Sequence, residues 1–198
     1  MRDRIWTTAA KAPGRPPVRA GAGFTLIEIM VTLAVLGVLV TVAAPSITKL
    51  IQDSRIRTQA NDLMASLAIA RSESAKQGVR VTVCASTTYT STTPSCTGGT
   101  AWNSGYILFT DVNADGNFDA GTDTVLRIGE PLTGGNTLVS NGFTAPPAGS
   151  VQYRPSGNTN VVPATPATFK LCDSRTGPFG RLITVFATGR TISVFVIC

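Results

Sequence analysis

Gly23-Phe24-Thr25-Leu26-Ile27-Glu28 stands where the chain changes character. Before it, residues 1–23 carry Arg2, Arg4, Lys11, Arg15 and Arg19 against Asp3 alone, with three prolines and nothing able to form a core. After it, residues 24–44 hold a single charge, Glu28. As a helix this stretch is about 31 Å long, enough to cross a bilayer's hydrocarbon layer. The basic flank places the N-terminus on the cytoplasmic side.

Helical periodicity continues beyond Pro45. Ile47, Leu50, Ile51, Ala60, Leu63, Met64, Leu67 and Ala70 recur three to four residues apart, with Lys49, Asp53, Arg55, Arg57 and Asp62 between them. This is the pattern of an amphipathic helix with one buried stripe. Gly78 suits the left-handed position after its last turn, so the helix is expected to end near Gln77. Pro45, which lacks an N–H and clashes with the preceding turn, is expected to bend it.

From residue 79 onward the runs 79–85, 105–110, 124–128, 150–153, 168–172, 181–187 and 191–197 are short, β-branched or aromatic, and separated by Gly, Pro, Asn and Thr. These are strand and turn signals. The last two, joined at Thr188-Gly189-Arg190, read as a hairpin. The expected fold class is α+β: a long N-terminal helix packed on an antiparallel β-rich head. The segments are a leader at 1–23, the helix at 24–77 and the head at 78–198.

A plain membrane anchor, or a signal peptide cut after Ala44, would also account for residues 1–45. The second requires cleavage before Pro45 and leaves the amphipathic helix with nothing before it. A carboxylate four residues into a membrane helix is costly and marks function, although a Glu reaching back to the headgroups is the simpler account. With its basic leader ending in Gly23, then Phe24, Glu28 as the fifth residue after the cut and Pro45 further on, the stretch strongly resembles the type IV pilin and pseudopilin family. The resemblance implies that a prepilin peptidase cleaves between Gly23 and Phe24 and that the Phe24 amine is methylated. It also implies that Glu28 pairs with the N-terminal amine of an adjoining subunit in a pilus or secretion pseudopilus. The segment Trp102-Asn103-Ser104-Gly105-Tyr106-Ile107-Leu108-Phe109-Thr110-Asp111 and the late Gly189-Arg190 resemble the GspH/FimT/FimU group of minor pilins and pseudopilins. The implied partners are other pilins, the peptidase and the inner membrane, with the head in the periplasm.

No histidine is present, so Ser-His-Asp triads, Cys-His pairs and His-bound metals are excluded. No nucleophile–base pair or phosphate loop is found, and no enzymatic activity is expected. Four cysteines, Cys84, Cys96, Cys172 and Cys198, lack the close pairs of a zinc site and read as two disulfides with three possible connectivities. Local pairing, Cys84–Cys96 and Cys172–Cys198, is the simplest for an oxidising compartment. Asp111-Val112-Asn113-Ala114-Asp115-Gly116 follows the first half of a calcium-loop pattern, but the twelfth position is Thr122, with Asp123 one place late. It is read as a polar hairpin loop with no cofactor; were calcium held, Asp111, Asn113, Asp115 and Asp119 would be the ligands.

The net charge of +6 suggests a polyanionic partner, yet the leader accounts for most of it and its removal leaves +2. The remaining surplus lies after residue 153, where five basic residues face Asp173 alone. Some FimT-type pilins bind DNA through a C-terminal Gly-Arg-x-Arg motif; here the second Arg is replaced by Ile192. Weak, non-specific DNA binding through Arg154, Arg175, Arg181 and Arg190 is the expectation if DNA is bound at all. The bland alternative is a solvated basic face. Tyr153, Phe169, Phe179, Phe186 and Phe195 are assigned to the core from their strand positions.

Overall fold

A computed structural model describes residues 23–144 and 149–198, apart from the side chain of Val42. The basic leader therefore lies outside the described residues up to position 22. The chain divides into two compact units, Met1–Ala44 and Pro45–Cys198. One helix, α1 (Leu26–Gln77), runs through both and is helical across Pro45. It ends where Gly78, at φ 71°, takes the left-handed turn that a side chain would disfavour.

Among the described residues the head has eight strands: β1 (Arg80–Ala85), β2 (Tyr106–Asp111), β3 (Val125–Gly129), β4 (Thr137–Asn141), β5 (Val151–Tyr153), β6 (Ala167–Cys172), β7 (Gly180–Val185) and β8 (Thr191–Val196). They form two four-stranded sheets, ordered β3-β2-β1-β5 and β4-β6-β7-β8, and every pairing is antiparallel. β4 is absent from the expected strands. Its pattern alternates, but the inward positions are Leu138 and Ser140, so one apolar residue carries the whole signal.

From the head's side, α1 buries Ile56, Ala60, Leu63, Leu67 and Ala70, spaced four and three apart. These belong to one cluster with Val81 and Val83 of β1, Leu108 of β2, Leu138 of β4, Phe169 and Leu171 of β6, and Ile183 and Val185 of β7. The stripe thus binds both sheets to a single helix. The expected members Ile47, Leu50 and Ile51 are instead 55%, 68% and 51% exposed. They precede the turn at which the head first covers the helix.

The odd residues of β1 face that core, while Cys84 faces a second, smaller cluster with Ile107 and Phe109. Tyr89, Cys96 and Phe118 pack on it. Disulfides join Cys84 to Cys96 and Cys172 to Cys198, with Cα atoms 5.5 and 5.8 Å apart.

Leu67→Ala should destabilise the head by about 2–5 kcal/mol, since Leu67 is fully buried beneath both sheets. Leu50→Ala should change stability by less than about 0.5 kcal/mol. Urea unfolding of residues 45–198 distinguishes the two; equal effects would contradict this division of the helix.

Candidate functional site

The N-terminal segment has few constraints within the chain. Gly23 and Phe24 precede the helix, and Phe24 is 78% exposed. Thr25 caps α1, its Oγ1 accepting the Glu28 N–H at 3.3 Å. Glu28 is the acid of the first turn, where the helix dipole favours negative charge. Its side chain is exposed, and among the described residues it forms no ion pair. Every described side chain from 23 to 51 is exposed, and nearly all from 24 to 44 are apolar. Such a surface demands lipid or other protein around it. One turn beyond Pro45, Thr48 Oγ1 donates to the Pro45 carbonyl at 3.0 Å.

The four arginines expected to form one basic patch are divided between two ends of the head. Arg190 follows the β7–β8 turn, where Gly189 has φ 76°. That turn is drawn against the 154–158 segment: Thr159 donates its N–H to the Ala187 carbonyl at 2.8 Å and its Oγ1 to the Phe186 carbonyl at 3.0 Å. Ser74 Oγ of α1 donates to the Arg154 carbonyl at 3.1 Å. Arg71, a residue that sequence reasoning did not single out, lies against Gly157 and Gly189: a Cβ at either would come within 3.2 and 3.1 Å of its Nε. Arg71, Arg154 and Arg190 are exposed, and among the described residues none is in an ion pair. The signal for Arg71 was present only as a charge on the helix's exposed face.

Arg175 and Arg181 stand near the opposite end of β7, about 14 Å away along the strand. Arg175 is not a free cation. Its Nη2 lies 2.6 Å from Asp173 Oδ2 and 2.8 Å from Asp53 Oδ1, and its side chain is only 15% exposed. Its guanidinium also covers the ring of Phe179 at 4.3 Å. Arg181 covers Phe195 at 3.8 Å. The core assignment holds for Tyr153 and Phe169, which are fully buried, and fails for Phe179 and Phe195, 38% and 62% exposed. Phe186 is half-buried. Phe195 lies on edge strand β8, where only one neighbour covers it.

The acidic loop follows β2. Asp111 is fully buried, and its Oδ2 accepts from Thr82 Oγ1 and Gln152 Nε2, each at 2.7 Å, and from the Gly116 N–H at 3.0 Å. Asn113 Nδ2 donates to Asp119 at 2.8 Å and to Asp115 at 3.1 Å. Asp123, set aside by the spacing argument, is 8% exposed and turns back into the loop, accepting from the N–H groups of Val112 and Asp119.

Beside α1 runs an open groove of about 640 Å³, lined by residues including Arg55, Asp62, Tyr106, Arg127 and Glu130. Tyr106 shares a 2.8 Å hydrogen bond with Ser66, and burial raises its phenol's pKa.

An apolar helix long enough to cross a membrane, capped by Thr25 and carrying one acid, continuing into a two-sheet head, defines a pilin-like protein. The family model described as Type II transport protein GspH matches residues 59–189, and that of the prokaryotic N-terminal methylation motif matches residues 19–44. The chain belongs to the GspH family of pilin-like structural proteins. Crystal structures of the Pseudomonas aeruginosa (strain PAO1) type IV minor pilin FimU in two crystal forms are similar to it at 21% identity. One gives a TM-score of 0.49 over 70% of this chain and 87% of that chain; the other gives 0.46 over 70% and 91%. No curated protein matches the sequence.

Burial works to raise the Asp173 carboxyl, but the hydrogen bonds and charge of Arg175 outweigh it and hold the group below the ordinary Asp value. A depressed folded pKa gives stabilisation that is complete above the unfolded value and fades as pH falls through the folded one. Asp173→Asn should therefore lower the urea midpoint at neutral pH, and the gap from the parent should close below about pH 4. Urea melts across this range provide the test; a gap independent of pH would show that the contact is not electrostatic.

Proposed function

We propose that the chain is a minor pilin or pseudopilin, a non-enzymatic subunit of a type IV pilus or type II secretion pseudopilus. The observation that carries this reading is the uncovered apolar half of α1 with Glu28 in its first turn. The precursor is inserted with its basic leader in the cytoplasm, and a prepilin peptidase cuts it between Gly23 and Phe24 and methylates the new amine. The apolar helix then leaves lipid to pack among neighbouring pilins. Glu28, expensive to keep charged in hydrocarbon, gains its counter-charge from the N-terminal amine of an adjoining subunit. The head lies in the periplasm, where disulfides persist.

Mass spectrometry of the membrane-extracted protein should find Phe24, methylated, as its N-terminus; an intact leader or another terminus would overturn the reading. Glu28→Ala should still enter the membrane yet be lost from sheared fibres, as read by immunoblotting both fractions.

A second reading, DNA binding, is favoured by the grouping of Arg71, Arg154 and Arg190, which form no ion pair among the described residues. Residues 45–198 should then shift DNA in a gel at low salt. Arg190→Ala and Arg71→Ala should each weaken the shift and reduce the salt slope by about one, whereas Arg175→Ala should leave it unchanged. No shift, or one indifferent to Arg190, would remove this reading.

A further inference from the structure

Residues 111–123, joining β2 to β3, hold Asp111, Asp115, Asp119 and Asp123 and no Lys or Arg. Among the described residues none of these carboxylates is in an ion pair. The basic residue opposite Asp111 in the β1–β2 register is Arg80, and its Nη1 donates to Gln152 Oε1 at 2.8 Å. Four like charges on one short loop repel one another.

Asp111 supplies the independent observation. It is fully buried, its Oδ2 holds three donors, and its Oδ1 has no hydrogen-bond partner. A buried carboxylate oxygen without a partner is costly. The bond from the Gly116 N–H holds this carboxylate against the turn formed by 111–116. There the partly positive Nδ2 of Asn113 stands between Asp115 and Asp119.

We propose that this loop binds a calcium ion. Asp111 through Oδ1, Asp115 and Asp119 are the carboxylate ligands, and the Asn113 amide turns to present its oxygen. As the loop stands, no three acidic groups among the described residues meet at one point, so binding draws them together. The donors are all oxygen, which selects a hard cation, and a flexible protein cage suits calcium better than magnesium. Asp123 is a positioning residue: by accepting from the Val112 and Asp119 N–H groups it holds the two halves of the loop together. The loop is also fastened from below. Phe118 packs edge-on against Phe109 at 5.6 Å, and Cys96 Sγ lies 3.6 Å from the Gly116 carbonyl. Closing the loop on an ion therefore stabilises the smaller core and its disulfide.

The full chain, in detergent and freed of metal with a chelator, is titrated with calcium chloride by calorimetry and melted with and without the ion. One site should appear, with Kd between about 10⁻⁶ and 10⁻³ M. At a hundredfold excess over Kd, Tm should rise by about 5–10 °C, and magnesium at the same concentration should give less than half that shift. Asp115→Asn and Asp119→Asn should weaken binding about tenfold or more. In chelator both variants should melt at or above the parent's Tm, because a repelling charge is gone; this separates loss of a ligand from loss of fold. No heat and no Tm shift at about 10 mM calcium, an equal response to magnesium, or unchanged affinity in both variants would overturn the proposal.

Discussion

Everything in the head depends on the seam formed by Ile56, Ala60, Leu63, Leu67 and Ala70. Among the described residues neither sheet has another helix to cover it, and the one cluster that includes these residues draws members from strands of both sheets. A four-stranded sheet with a bare apolar face is not stable in water, so the sheets share a single cover. That arrangement fixes which turns of α1 can be used by anything else. Before the seam, every described side chain from 23 to 51 is exposed, and that apolar surface is available for lipid or for other subunits.

The same seam explains what could be read in advance. Helix period, the stop at Gly78 and the β7–β8 turn at Gly189 are local consequences of side-chain spacing and backbone freedom, and these are visible in sequence. Where the seam begins is not local. Ile47, Leu50 and Ile51 have the right spacing, but burial requires a partner, and the head's reach is set by strands far away in the chain. β4 was hidden for the converse reason: its inward Ser140 makes the alternation look polar, although pairing with β6 settles it as a strand. No motif marks Arg71, and Asp123 stands one place outside the calcium-loop spacing, because what each does depends on tertiary neighbours, Gly157 and Gly189 for one and the Val112 and Asp119 amides for the other.

Charge in the C-terminal third follows from packing more than from composition. β8 is an edge strand of uncharged residues, and an exposed edge of this kind invites pairing with other chains. The guanidinium of Arg181 on the adjacent strand lies over Phe195, and an arginine can shield an aromatic face while its charged head stays hydrated. Arg175 also covers the ring of Phe179, with its guanidinium held between Asp173 and Asp53 on α1, so it ties the segment between β6 and β7 to the helix. Two of the four arginines that sequence order places together thus serve the fold of the head itself.

What remains is a separation of roles along one molecule. Arg71, Arg154 and Arg190, which form no ion pair among the described residues, gather where α1 ends. The acidic loop lies between β2 and β3, over its own small core. Opposite charges on one small head would tend to collapse onto each other if flexible, yet here each group is held by structure that needs no contact with the other. The arginines ride on the α1 terminus and two glycine turns. The aspartates hang from Phe118, the Cys84–Cys96 disulfide and the Thr82–Asp111–Gln152 hydrogen bonds. A surface organised in this way can present two different faces to two different neighbours.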